Sequence, residues 1–192
     1  MGAEAGLRAL DQPYEPGEDS LLLADLVARR GPRGRLGLDI GTGCGIQLAT
    51  LLEKCEYVVG TDLNSQALRL LLSRGFPRES LDLILCDRAR PLRDAVFDLV
   101  VFNPPYLPDQ PGLRDPSVDG GPGGGEVPGL FLEEALRVVK PGGRVYFVLS
   151  SLTSLDGVKK ASEAYGARIS LRAERHFLFE RLQVYECERP GS

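Results

Sequence analysis

Asn103-Pro104-Pro105-Tyr106 ends an apolar run, Phe97 to Phe102, and so abrupt a stop admits two readings. Prolines terminate strands and Asn before Pro opens turns, which would be structure alone. A rigid Asn-Pro-Pro corner is also a good place to hold a planar nitrogen. The Asn103 side-chain oxygen and the Pro104 backbone carbonyl are two acceptors, and proline brings no competing N–H. A second constellation lies upstream, where Leu38-Asp39-Ile40-Gly41-Thr42-Gly43-Cys44-Gly45 sets three glycines between an apolar run and a helical pattern. Glycines there let the backbone approach a ligand and take positive φ. The dinucleotide fingerprint G-x-G-x-x-G would need its third glycine at position 46, which is Ile46. Asp62 ends the next apolar run with a carboxylate able to accept two O–H bonds from the ribose of an adenosine-containing cofactor, and Asp87 ends the run after it.

The elements that must position these residues alternate. Ser20 to Arg30 has helical spacing behind the acidic pair Glu18-Asp19. Short apolar strands at 35–40, 57–63, 82–87 and 97–103 are separated by the helices IQLATLLEK and SQALRLLLSRG, with only a short link before the fourth strand. Such alternation builds a parallel sheet covered on both faces. A Pro- and Gly-rich segment, 107–129, reads as a long loop, either a spacer or a lid that orders when substrate enters. The helix LFLEEALRVVK follows, then a Pro-Gly-Gly turn, the strand RVYFVLSS and a weaker helix. Two final strand-like runs without a helix between them suggest a hairpin, so the last of seven strands should lie antiparallel. Glu15, Glu18 and Asp19 could simply start the first helix.

The glycine turn, Asp62, Asp87 and the strand pattern together resemble the class I S-adenosylmethionine-dependent methyltransferases, a Rossmann-like α/β fold whose sheet carries the same antiparallel last strand. The resemblance implies that the backbone of the glycine turn cradles the methionine portion of S-adenosylmethionine. It also implies that Asp62 holds the ribose, Asp87 faces the adenine and Asp39 lies near the cationic end. The cofactor set it implies is Ser20, Asp39, Gly41, Thr42, Gly43, Gly45, Asp62, Leu63, Asp87 and Asn103. Asn103-Pro104-Pro105-Tyr106 resembles the catalytic motif of methyltransferases acting on nitrogen attached to a planar system, with Tyr106 packing on the flat face of the substrate.

Two further stretches narrow the family. Tyr14-Glu15-Pro16-Gly17-Glu18-Asp19-Ser20 resembles the Y-E-P-x-E-D-[ST] opening of the HemK/PrmC-like release-factor glutamine methyltransferases, archaeal and eukaryotic branch. Asp119 to Val127, DGGPGGGEV, resembles the glycine-rich segment that follows the catalytic motif there. The resemblance runs from Tyr14 to about Ser150. It implies N5-methylation of the glutamine in a Gly-Gly-Gln tip of a class I release factor, with residues 1–19 covering the cofactor and 107–129 facing the substrate. It also implies a small zinc-binding activator subunit as heterodimer partner, on an exposed edge expected to involve the second and third strands. Bacterial relatives carry an extra helical N-terminal domain, for which the residues before Tyr14 leave no room. The competing readings are a methyltransferase acting on adenine or guanine amines of RNA or DNA, or on lysine; a nucleotide-binding dehydrogenase; and a non-catalytic binding subunit.

Composition bounds these readings. The 192 residues suit one domain, and 43% hydrophobic with 26% charged residues is ordinary for a globular protein. The formal charge of −4 argues against a life on nucleic acid. Cys44, Cys55, Cys86 and Cys187 form no C-x-x-C pair, so neither a zinc site nor a disulfide framework is expected. No signal peptide or membrane span is legible, which places the chain in the cytoplasm. The lone His176 lies far from both motifs and reads as structural or surface.

Overall fold

The structure, a computed structural model, describes residues 16–109 and 118–191; Tyr14, Glu15 and the middle of the 107–129 segment lie outside the described residues. In chain order the elements are α1 (Glu18–Arg30), β1 (Gly34–Ile40), α2 (Ile46–Leu52), β2 (Cys55–Asp62), α3 (Ser65–Ser73), β3 (Leu81–Leu85), β4 (Phe97–Phe102), α4 (Glu126–Val138), β5 (Val139–Ser150), α5 (Asp156–Ala164), β6 (Arg168–His176) and β7 (Arg181–Glu188). Seven strands form one sheet in the order β3-β2-β1-β4-β5-β7-β6. β7 runs antiparallel to both neighbours, and the other pairings are parallel. The expected architecture is therefore present.

Both faces of the sheet are buried, which is why its central strands read as unbroken apolar runs. Along β4, Val100 and Phe102 face α4 and α5 with Leu132, Leu136 and Phe147, while Leu99 and Val101 face α1 and α2 with Leu23, Leu26 and Leu48. Phe102 stacks on Phe147 at 5.1 Å between centroids, and Phe147 on Tyr185 at 5.5 Å. Polar ties fix the strand starts. The Asp98 carboxylate accepts the backbone N–H groups of Arg35 and Leu36, each at 2.9 Å, and the Lys140 ammonium at 2.6 Å, joining β1, β4 and β5.

Three expectations need correction. α4 starts at Glu126, so residues 126–129 are helix and not loop. Pro128 suggests a break, but it falls in the first turn, where a helix needs no N–H from it. Pro141-Gly142-Gly143 does not turn the chain before β5. It lies within that strand as an irregularity, with the β4 register slipping between Phe97 and Leu99 and Gly142 at φ 78°. Of the second and third strands only β3 is at an edge, because β2 is paired on both sides; the opposite edge strand is β6.

No helix among the described residues is long and apolar enough to cross a membrane. His176 lies on the surface beside Glu174, at 2.9 Å. Asp98→Ala should lower stability by roughly 1.5 to 3 kcal/mol, the usual worth of hydrogen bonds to a charged group, and Asp98→Asn by less. Urea unfolding of the three proteins measures this; equal midpoints would remove Asp98 from the framework.

Candidate active site

β1 and β4 are neighbours in register, with Ile40 opposite Phe102, so the glycine turn and the Asn103 corner leave the sheet side by side. β2 flanks β1 on its other side, with Ile40 opposite Thr61. This is the end of the sheet, beyond the carboxyl ends of the parallel strands, where open α/β folds bind ligands.

The glycine turn is built from positive φ: 76° at Gly41, 47° at Gly43 and 85° at Gly45. The N–H groups of Gly41 and Thr42 both donate to Thr61 O, at 2.8 and 2.9 Å, which clamps the turn onto β2. The glycines have different duties. A Cβ at Gly45 would lie 2.4 Å from Leu71 Cδ2, so this residue lets α3 pack closely; at Gly41 the nearest atom is Phe131 Cε1 at 3.5 Å, on the exposed side.

Asp62 ends β2 with both carboxylate oxygens already oriented. Oδ2 accepts the Gly43 N–H at 2.8 Å and Oδ1 the Asn64 N–H at 2.7 Å, and each keeps a lone pair for a further donor. Leu63 beside it is 70% exposed, an apolar surface left open at the mouth of the turn. Asp39 is 1% exposed; its Oδ2 accepts from Thr42 Oγ1 at 2.7 Å, while its Oδ1 has no partner. Burial, reinforced by the Asp62 charge and opposed by the Thr42 hydrogen bond, pushes the Asp39 carboxyl up to about 7. Asp87 lies two residues beyond β3 and takes Arg88 and Arg90 on one oxygen, Oδ2, each at 3.1 Å.

The Asn103 corner is tied to α1. Asn103 Nδ2 donates to Asp19 Oδ2 and to Ser20 Oγ, each at 3.0 Å, and the Tyr106 hydroxyl donates to the same Asp19 oxygen at 2.9 Å. Asn103 Oδ1 is buried and has no partner. Pro104 is buried, and Pro105 and Tyr106 are half-buried. Tyr106 packs against the cores on both faces of the sheet, and its carbonyl accepts from Thr153 Oγ1 at 2.8 Å. Gln47 Nε2 donates to Ser20 O at 2.8 Å and so fastens α1 to α2.

The described part of the Gly-rich segment folds onto this corner. Gly120 N–H donates to Leu107 O at 2.8 Å, and Leu107 N–H to Val118 O at 2.9 Å. A Cβ at Gly120 would lie 2.7 Å from Tyr106 Cα, and one at Gly125 only 2.0 Å from Ser154 O. These glycines admit close packing within the chain. Glu126 completes the turn by accepting the Gly123 N–H with both oxygens, at 3.2 and 3.1 Å.

Asp39, Gly41, Thr42, Gly43, Asp62 and Asn103 thus stand together at the carboxyl ends of β1, β2 and β4, with Ser20 bonded to Asn103, Leu63 exposed just beyond β2, Asp87 beyond β3 and Gly45 packed against α3. Sequence reading set Asp19 in the segment expected to cover the cofactor but not against Asn103, and did not single out Phe131 beside Gly41. Asp19 reads as an ordinary first-turn acid, and Phe131 as one apolar position on a helix.

A chain of the E. cuniculi Mtq2–Trm112 complex, described as responsible for methylation of the eRF1 translation termination factor, superposes with a TM-score of 0.73; it is 32% identical and covers 92% of this chain and 98% of that one. This chain belongs to the release-factor glutamine methyltransferase family. A methyltransferase-domain family model matches residues 38–104, which hold the glycine turn, Asp62 and the first half of the corner. A Methanocaldococcus jannaschii protein named for N5-glutamine methyltransferase activity is 29% identical over 95% of both chains. A Geobacter sulfurreducens release factor glutamine methyltransferase is 31% identical over 67% of this chain but only 50% of its own length. This chain therefore spans about half the length of that relative.

The raised Asp39 carboxyl makes a pH prediction for this family member. Its contribution to stability is fully present below pH 4 and is lost as pH rises through 7, because the unfolded chain ionises Asp39 first. In the ligand-free protein, the thermal midpoint of Asp39→Asn relative to wild type should rise from pH 4 to 7 and then level off. Each kcal/mol relieved corresponds to roughly 2 to 4 °C for a chain of this size. A difference independent of pH would contradict the assignment.

Proposed function

We propose that this chain transfers the methyl group of S-adenosylmethionine to the side-chain amide nitrogen of the glutamine in a Gly-Gly-Gln motif of a class I translation termination factor. The observation that carries this reading is the Asn103 amide. Its NH2 is occupied by Asp19 and Ser20, while its carbonyl oxygen is buried and unpartnered beside the glycine turn. A buried acceptor left without a donor costs free energy, so a substrate N–H that pairs with it gains on entry.

The residues fit the cofactor. Asp39 offers an unpartnered carboxylate oxygen to a cationic group, Asp62 offers its remaining lone pairs to the ribose diol, and the glycine turn lets the backbone come close. Leu63 and Asp87 stand at the adenine end in this reading. Residues 1–19 cover the cofactor and 107–129 wall the substrate side. When bound, the cofactor supplies an electrophilic methyl group on a sulfonium.

The chain's own work is orientation. A glutamine amide nitrogen is a poor nucleophile because its lone pair is delocalised into the carbonyl. The Asn103 side-chain oxygen and the Pro104 backbone carbonyl accept its two N–H groups and so hold its plane and position, while Tyr106 borders the same corner. Positioning of this kind can supply roughly 7 to 11 kcal/mol of a barrier.

A protein substrate suits the lip of the crevice better than a nucleic acid. Leu152, Phe177, Leu178 and Phe179 stand exposed at this end of the sheet, the last two at 87%. The cations beside them are paired, Arg175 with Glu18 and Arg181 with Glu174. An apolar lip invites another protein surface, whereas a phosphate backbone asks for free positive charge. The reaction takes place in the cytoplasm, where termination factors work.

A small zinc-binding activator is the partner in this reading, docked on the β3 edge. There a groove of about 530 Å³ runs between α3 and β3, lined by Leu68, Leu72, Phe76, Leu81, Leu83 and Leu85. An unpaired edge strand beside an apolar groove is a template for strand addition.

Asn103→Ala should keep S-adenosylmethionine affinity and lose most turnover, whereas Asp62→Ala should weaken cofactor binding by about 1.5 to 3 kcal/mol in calorimetry. Normal turnover by the first variant, or equal affinity in the second, would contradict the reading. Leu85→Asp should abolish co-purification with the activator without changing the melting of the isolated chain. Undiminished co-purification would move the partner elsewhere.

A further inference from the structure

The two ends of an asparagine side chain are nearly the same size, so packing alone does not decide which one faces the crevice. The hydrogen bonds do. Both protons of the Asn103 NH2 are taken, one by Asp19 Oδ2 and one by Ser20 Oγ, each at 3.0 Å. Of these partners only Asp19 discriminates, because a hydroxyl donates as readily as it accepts whereas an ionised carboxylate accepts only. A flipped Asn103 would keep a good bond to Ser20 but set its carbonyl oxygen against the Asp19 carboxylate. It would also aim two donors at the N–H groups of the substrate.

Asp19 is itself held. It is 6% exposed, its Oδ1 accepts the Ser20 backbone N–H at 2.7 Å, and its Oδ2 also accepts the Tyr106 hydroxyl at 2.9 Å. The Gln47 amide fastens the same turn of α1 from the other side. We infer that Asp19 is a positioning residue that fixes the Asn103 amide with its carbonyl oxygen toward the reacting nitrogen. This role rests on the reading of Asn103 given above, and Asp19 acts through the two groups it is bonded to, Asn103 and Tyr106.

Two measurements test it. The chain has only two asparagines, Asn64 and Asn103, so selective 15N-asparagine labelling gives two side-chain NH2 pairs. In the wild type the Asn103 pair should be protected from exchange. In Asp19→Asn, which adds a third NH2 pair from position 19 and whose amide accepts or donates equally well, the Asn103 pair should shift and lose protection while the Asn64 pair stays in place; Asp19→Ser gives the same comparison with two pairs only.

In single-turnover methylation of a termination factor, the same variant should lower the rate constant on the order of 100-fold with little change in KM, the scale of a misplaced reacting group. That loss should vanish when Asn103 is already alanine, because two residues acting through one group are not additive. Asp19→Ser, which removes the carboxylate without added bulk, is run beside it so that a folding defect in one variant leaves the comparison intact. Unchanged Asn103 signals would overturn the inference, as would a rate loss that persists in full in the Asn103→Ala background. The spectral arm needs no substrate, so an inactive wild type with the expected spectral change would overturn the glutamine reading and leave the Asp19 assignment standing.

Discussion

The pairing of β1 with β4 is the constraint on which the site depends. Ile40 lies opposite Phe102, so the next residue of each strand, Gly41 and Asn103, emerges at the same level beyond the sheet. One side of the junction can then hold a cofactor and the other a substrate. A slip of one residue would carry Phe102 from the α4 and α5 face to the α1 and α2 face and move Asn103 away from Gly41, because side chains alternate along a strand. The stacked rings of Phe102, Phe147 and Tyr185 oppose such a slip from one face, and the Asp98 clamp opposes it from the other end of the strand.

Around this junction the chain tolerates features that a structure built for stability alone would avoid. Asp39 is buried beside Asp62 with one oxygen unpartnered, and Asn103 has a buried carbonyl without a donor. Each costs free energy in the ligand-free protein. These two acceptors stand at the carboxyl ends of adjacent strands, and in the proposed reading they face a cationic cofactor and an N–H donor; the other buried side-chain atoms without partners among the described residues are Gln47 Oε1 and Arg88 Nε. Strain and unsatisfied groups concentrated in this way are what a binding site, rather than a structural turn, leads one to expect.

Much of this was legible in the sequence because the signals were local. Two prolines after an asparagine, glycines at alternate positions and a carboxylate at a strand end announce themselves within a few residues. What was not legible depended on distance. Asp19 looks like any acid at a helix start, and its partner Asn103 lies 84 residues away. The Gly-rich segment reads as an open loop, yet Gly120 and Gly125 are glycine because Tyr106 and Ser154 approach too closely for a side chain. Pro128 reads as a break, although a proline in the first turn costs a helix nothing. Local chemistry names the groups, but only the packed chain shows which of them hold one another.

The most direct measurement is transfer of label from S-adenosylmethionine by this chain, co-purified with the proposed small activator, to a purified termination factor and to the same factor with Gly-Gly-Gln changed to Gly-Gly-Ala. Label on the first factor alone, located on the glutamine by mass spectrometry, is the result predicted. Equal labelling of both, or labelling of added RNA and neither protein, would contradict the account.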